Sequence, residues 1–185
     1  MSPIRFSIEK RLPGTALGRA GLLQTPHGVI ETPSFVVVAT KASVKAVTFE
    51  MLKDLGAQVM LGNAYHLFLQ PNPERIDRVG GLGKFTGWSG PTMTESGGFQ
   101  VFSLGEGYQR SVNKFEVSKN VAPDNAPVLF DEEVASSHGK LAIIDEEGVT
   151  FTSHLDGTLH RFTPERSIEI QQKIGADMIF AFDEC

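Results

Sequence analysis

TPERSIEIQQKIGADMIFAF, residues 163–182, joins the clearest helix signal of the chain to a short apolar run. Thr163 can cap a helix, Pro164 suits the first helical position, and Gly175 stands where a left-handed C-cap belongs. The following run, DMIFAF, is typical of a buried strand. A helix that leads directly into a buried strand predicts the repeating units of a parallel α/β fold.

The same alternation of helix and strand occurs upstream of this stretch. Helices are predicted at 48–56 (TFEMLKDLG) and 71–81 (PNPERIDRVGG), and buried strands at 35–39 (FVVVA), 58–61 (QVML) and 91–94 (PTMT). In residues 4–38, the alternating stretch IRFSIEK and several Gly and Pro turn signals predict antiparallel strands. The predicted fold class is therefore α/β with an N-terminal antiparallel β element.

The alternation stops between Ser103 and Gly148. Residues 105–147 contain VAPDNAPV and two acidic runs, which predict an insertion made of loops with a hairpin around KLAII. Two interpretations of this segment are open, a functional insertion and an exposed elaboration without a function of its own. The general variability of long loops favours the second interpretation.

Composition indicates an ordinary globular protein without a membrane segment. The 185 residues are 41% hydrophobic and 21% charged, and no apolar run reaches the ~18 residues that cross a bilayer. The N-terminus lacks the apolar core of a secretory signal, and one cysteine, Cys185, makes neither a disulfide framework nor a zinc site by itself. We therefore expect a cytoplasmic protein. The net charge of −5 argues against a self-sufficient nucleic-acid binder, which usually presents a basic surface.

Polar residues follow three of the predicted strands. Asn63 follows QVML, Glu95 follows PTMT, and Asp183 follows DMIFAF. Because the carboxyl ends of parallel strands share the edge where α/β folds bind ligands, we expect these side chains to form a polar pocket floor. A single acid after a strand is more often a helix cap, but two acids at one rim favour a site.

The turn after Glu95 is rich in glycine. Gly97 and Gly98 would let the backbone turn and approach a flat ligand closely, and Phe99 could stack on that ligand. A tight turn whose glycines serve packing alone explains so short a motif equally well.

Histidines give weaker signals. His66 is interpreted as a structural residue, with an orienting role toward an acid as the alternative. His154, Asp156 and His160 could suggest a metal site, but a strand-turn-strand with Asp156 at the bend is the better interpretation.

Five motifs, in this order, resemble the tRNA-guanine transglycosylase family: GNAYHL, GGLGKFTGW, TESGGFQVFSL, GVTFTSHLDG and TPERSIEIQQKIGADMIFAFDEC. The resemblance runs from about residue 30 to the last residue, interrupted by the 105–147 segment. It implies an irregular (β/α)8 TIM-type barrel, of which residues 1–185 would form the N-terminal part. The remaining barrel strands and the subdomain that binds a structural zinc ion would lie beyond Cys185, so no metal ligand is expected in this chain.

Members of this family exchange guanine at the wobble position of certain tRNAs for a 7-deazaguanine of the queuosine pathway. They act by double displacement, through a covalent ester on an aspartate. The resemblance assigns the general acid/base position to Glu95 and recognition of the guanine-like edge to Asp183. It assigns the base-binding turn and the pocket lining to Ser96, Gly97, Gly98, Phe99, Asn63, His66 and Cys185.

Two departures from the family pattern stand out. The family has aspartate where this chain has Glu95, and the extra methylene of glutamate moves the carboxyl by ~1.5 Å. A catalytic group misplaced by ~1 Å can lower the reaction rate by about a hundredfold. The chain also stops before the nucleophilic aspartate, so we expect it to be inactive alone.

These departures leave other functions open. The alternative function is a non-catalytic partner subunit or relic. A dimer is compatible with it, because eukaryotic members pair a catalytic with a non-catalytic subunit. A relative that modifies DNA, or an archaeal relative with another deazaguanine, also remains open.

Overall fold

The computed structural model describes residues 4–101 and 142–183. Contacts divide the chain into two units, the first comprising Met1–Gly97 and Glu165–Phe182 and the second Gly98–Pro164 and Asp183–Cys185. The strands are β1 Arg5–Arg11, β2 Arg19–Thr25, β3 Gly28–Thr32, β4 Val37–Val38, β5 Met60–Asn63, β6 Thr92–Glu95, β7 Ala142–Asp145, β8 Gly148–Thr152, β9 Leu159–Phe162 and β10 Met178–Ile179. The helices are α1 Phe49–Asp54, α2 Ala64–Leu69, α3 Pro73–Arg78, α4 Leu82–Thr86 and α5 Pro164–Ile174, and residues 98–101 are also helical.

The first unit begins with the predicted antiparallel β element. Strands β1, β2 and β3 form a sheet in that order, with Phe6 opposite Leu23 and Leu23 opposite Ile30. The turn between β2 and β3 is closed by the Thr25 hydroxyl, which donates to the carbonyl of Gly28 at 2.9 Å. The prediction of antiparallel strands in this part of the chain is confirmed.

A parallel sheet forms the centre of the first unit. Within the described residues its order is β10-β6-β5-β4, and all neighbouring strands run parallel. Helices connect successive strands, which is the usual way to join parallel strands. The core of this unit consists of buried apolar side chains, among them Val59, Met60, Leu67, Ile76, Leu82, Ile170 and Ile174. The α/β class is therefore confirmed.

Helix α5 matches the prediction closely at both ends. It begins at Pro164 and ends at Ile174, and Gly175 follows with a left-handed φ of 70°. Its buried face differs from the expected apolar stripe, because Ser167 and Gln171 are buried there together with Ile170 and Ile174.

The strand predicted at 177–182 is shorter in the structure, where β10 covers Met178–Ile179. Before it, the buried carboxylate of Asp177 accepts hydrogen bonds from the Thr92 backbone N–H at 2.9 Å and from the exposed His27 at 2.7 Å. After it, the Phe180 N–H still donates to the Thr94 carbonyl at 3.1 Å. The strand begins one residue later than predicted because the side chain of Asp177 is bonded to Thr92, and it ends three residues earlier than predicted.

The described part of the second unit centres on an antiparallel sheet in the order β7-β8-β9. The hairpin predicted around KLAII is present as β7 and β8, where Asp145 Oδ1 accepts from the backbone N–H groups of Glu147 and Gly148. The bend predicted at Asp156 is also present, since its carboxylate accepts from the Thr158 N–H at 3.1 Å. The predicted insertion at 105–147 lies largely outside the described residues and stays a prediction.

None of the helices in residues 4–101 and 142–183 combines the length and apolar character needed to cross a membrane.

Candidate functional site

Asn63 and Glu95 face each other at the carboxyl edge of the parallel sheet. They are the last residues of β5 and β6 and are opposite each other in the register. Asn63 is buried, and its side-chain Nδ2 donates a hydrogen bond directly to Glu95 Oε1. The sequence prediction that these two polar residues share one rim is confirmed.

Asn63 has a second task, which sequence analysis did not identify. Its Oδ1 accepts a hydrogen bond from the His66 backbone N–H at 3.1 Å, so Asn63 is the N-cap of α2. Because the cap holds Oδ1 toward the helix, it also fixes the direction in which Nδ2 points. The cap at the start of α2 therefore orients the Asn63 amide group, which donates a hydrogen bond to Glu95.

His66 lies in the first turn of α2, next to this contact. Its ring packs edge-on against the Tyr65 ring, with centroids 5.1 Å apart. Burial raises the pKa of the Tyr65 hydroxyl. His66 therefore lies close to Asn63, and its structural, orienting and pocket-lining roles stay predictions.

Ser96 and Gly97 form the turn that follows Glu95. Gly97 has a φ of 85°, and a Cβ on it would lie 2.9 Å from the Tyr65 backbone nitrogen. This position needs glycine both for its left-handed conformation and because α2 lies against it. Ser96 is buried, and its carbonyl accepts a hydrogen bond from the Ser167 hydroxyl at 2.8 Å. For Gly97, the backbone conformation and the packing against α2 are together a sufficient reason for glycine.

Gly98, Phe99 and Asp183 belong to the second unit. A Cβ on Gly98 would lie 2.7 Å from both the carbonyl oxygen and Oδ1 of Asp183, so these two residues are in close contact. Phe99 exposes 53% of its surface. The structure brings the glycine and the acid together, and the role of this turn in binding a base stays a prediction. That Glu95 and Asp183 line one pocket stays a prediction, and Cys185 lies outside the described residues.

Three buried polar side chains near this rim escaped sequence analysis: Thr94, Ser167 and Gln171. Gln171 Oε1 accepts from the Thr94 hydroxyl at 2.9 Å, and its Nε2 donates to the Phe180 carbonyl at 2.9 Å and to Ser167 Oγ at 3.2 Å. A signal for them exists in the sequence, because Ser167 and Gln171 are four residues apart and thus share a helix face with Ile170 and Ile174.

The family described as queuine tRNA-ribosyltransferase matches residues 15–135 and 124–185. The chain belongs to this family. Queuine tRNA-ribosyltransferases similar to it occur in Thermus thermophilus, at 45% identity over the whole chain, and in a Roseiflexus species, at 46% identity over 98% of it. A third, from Synechococcus elongatus, is 44% identical over the whole chain.

The chain covers 38%, 41% and 39% of these three proteins, so it spans about two fifths of the curated relatives that it matches. The matched part is their N-terminal portion.

The structural zinc that the family resemblance implies does not fit the described residues. No three His, Cys, Asp or Glu side chains come together in residues 4–101 and 142–183 to hold a metal ion.

Proposed function

We propose that this chain carries the acid/base group and the base-binding turn of a tRNA-guanine transglycosylase. Such an enzyme exchanges guanine at the tRNA wobble position for a 7-deazaguanine. One observation carries the proposal: in a member of this family, the Asn63 amide donates to the Glu95 carboxylate at the carboxyl edge of a parallel sheet. We also propose that β4, β5, β6 and β10 are part of an incomplete TIM-type barrel, whose functional groups lie at that edge.

Glu95 would act as the general acid and base. Cleaving the glycosidic bond leaves negative charge on the departing purine, which a carboxylic acid relieves by donating a proton. The incoming base must then lose a proton, which the same group accepts as a carboxylate. The hydrogen bond from Asn63 keeps one carboxyl oxygen occupied and leaves the other to face the base.

Asp183 would recognise the base. Its two oxygens can accept hydrogen bonds from a ring N–H and a neighbouring exocyclic amino group, which lie side by side on the edge of guanine. The lack of a side chain at Gly98 makes room for the Asp183 carboxylate. The half-exposed ring of Phe99 could stack on the flat base.

The test is guanine exchange into tRNA by a full-length protein that carries this segment. Glu95→Gln should abolish exchange, because the amide neither donates nor accepts the proton. Glu95→Asp, which restores the family residue, should keep or raise the rate. Glu147→Gln, at a solvent-exposed glutamate of the β7–β8 turn, is the matched control and should leave the rate unchanged.

Unchanged exchange in Glu95→Gln would refute the assigned role. If neither the glutamate nor the aspartate form exchanged guanine, the non-catalytic partner subunit would be the better function.

A further inference from the structure

Helix α5 buries two polar side chains against the parallel sheet. Ser167 and Gln171 are both fully buried, one helical turn apart. Burying polar groups costs free energy unless their hydrogen bonds are satisfied, and here each group is used. The Gln171 amide uses its oxygen toward Thr94 and its nitrogen toward Phe180 and Ser167. The Ser167 hydroxyl donates to the Ser96 carbonyl.

These contacts hold the chain on both sides of Glu95. The residue before it, Thr94, is tied to α5 through Gln171, and the residue after it, Ser96, is tied to α5 through Ser167. Thr94 and Ser96 are almost completely buried, whereas Glu95 is partly exposed. The backbone at Glu95 is therefore held from the α5 side of the sheet, while the residue itself is partly exposed at the edge.

We propose that Gln171 and Ser167 are positioning residues for Glu95, and we call them, with Thr94, the α5 clamp. By fixing the backbone on either side of Glu95, the clamp sets where its carboxyl meets Asn63 Nδ2. The functional importance of this role rests on the proposed acid/base function of Glu95.

The α5 clamp needs a side chain at position 171 that both accepts and donates hydrogen bonds. Gln171 acts as an acceptor toward Thr94 and as a donor toward Phe180, and only an amide of this length offers both at once. A glutamate would lack the donor, and a methionine of similar shape would lack both. The clamp also explains how a glutamate is accommodated at the acid/base position. Because the clamp holds the backbone on both sides of Glu95, the extra methylene of glutamate must be accommodated by the side-chain conformation and not by a shift of the main chain.

The experiment measures the position of Glu95 directly, in the 185-residue chain. The NMR signals of the Asn63 side-chain amide and of the Glu95 carboxyl carbon report their hydrogen bond. Gln171→Met, Ser167→Ala and Thr94→Val should each move the Asn63 amide protons upfield and shift the Glu95 carboxyl signal. Two controls should leave both signals in place: Gln172→Met, which makes the same change at the exposed neighbour, and Thr94→Ser, which keeps the hydroxyl.

Thr94→Val preserves shape and volume, so it decides the question if a change at Gln171 prevents folding. Unchanged Asn63 and Glu95 signals in folded Thr94→Val would overturn the inference. Where a full-length protein exchanges guanine, these variants should lower kcat by about tenfold to a hundredfold, the range expected for a displaced catalytic group, with KM for tRNA unchanged. If the signals move but Glu95→Gln exchanges normally, the proposed function fails while the positioning stands.

Discussion

Replacing Asn63 by aspartate separates the two tasks of this side chain. Aspartate caps a helix about as well as asparagine, so the bond from the His66 N–H at the start of α2 is kept. It has no N–H to donate to Glu95, however, and it puts a second carboxylate in the place of the amide. The change therefore removes one contact and leaves the other.

The magnitude follows from these two effects. Losing a hydrogen bond to a charged group costs about 1.5–3 kcal/mol. Two carboxylates ~4 Å apart repel by up to about 4 kcal/mol at an effective dielectric constant of ~20. Taking up a proton at pH 7 costs a carboxyl of ordinary pKa about 4 kcal/mol, which limits the repulsion to that value. The two effects together should lower the free energy of unfolding of Asn63→Asp at pH 7 by roughly 1.5–7 kcal/mol.

The loss should depend on pH. When two carboxylates share a site, the pKa of one is raised in the folded state above its unfolded value. The folded state then binds more protons than the unfolded state, so the variant regains stability as the pH falls through the raised pKa. The difference from the unsubstituted chain should be largest at pH 7 and clearly smaller at pH 5.

Urea unfolding followed by the fluorescence of Trp88 measures this, because Trp88 is the only tryptophan of the sequence and is buried in the first unit. Asn63→Ala is the control, since it removes both hydrogen bonds without adding charge and should give a loss that varies little between pH 7 and 5. If Asn63→Asp unfolded at the same urea concentration as the unsubstituted chain at pH 7, the Asn63–Glu95 contact would be refuted.

Three further outcomes are expected. Gly97→Ala should destabilise the chain by about 2 kcal/mol or more, since a left-handed alanine costs ~1–2 kcal/mol and its Cβ would also press on α2. Gly87→Ala, at a φ of 76° with open space around it, should lose only the ~1–2 kcal/mol of the left-handed conformation. If Gly97→Ala and Gly87→Ala lost the same stability in urea unfolding, the packing argument for Gly97 would be contradicted. Asp183→Ala in a full-length protein should abolish binding of guanine-type bases, and unchanged calorimetric binding would refute its assignment. Finally, hydrogen bonds from Arg161 hold the pKa of Asp145 at about 2. Because this folded-state pKa is lowered, the ionised carboxylate adds to the free energy of unfolding above pH ~4, and this contribution is lost as the pH falls through ~2. In Arg161→Gln, the Asp145 pKa followed by NMR should rise toward its ordinary value, and an unchanged pKa would show that the pair is not responsible.

Local signals predicted the elements whose ends are set by their own residues. Pro164 and Gly175 bound α5 because proline suits a first turn and glycine a left-handed exit, and neither depends on distant contacts. The shared rim of Asn63 and Glu95 could likewise be predicted, since polar residues that end adjacent parallel strands must lie at one edge. Helix α2 was missed because its cap, Asn63, was interpreted only as a pocket residue.

Tertiary contacts decide what sequence patterns could not show. Hydrophobic periodicity identifies the helix face of Ile170 and Ile174, which Ser167 and Gln171 share, but it does not identify the partners of these polar residues. The reason that Ser167 and Gln171 are buried lies in their partners at Ser96 and Thr94, more than 70 residues earlier. The late start of β10 has a similar origin, because the Asp177 side chain is bonded to Thr92, 85 residues earlier.

The strand order β10-β6-β5-β4 has a consequence for how the molecule forms. Strands β4, β5 and β6 are joined by connections of 21 and 28 residues, whereas β10 reaches β6 only after more than 80 intervening residues. Closing so long a loop is entropically costly and slow compared with local pairing. During synthesis we therefore expect the first three strands to assemble while Thr94 is still hydrated, and the rim at Glu95 to become rigid only when the last helix docks.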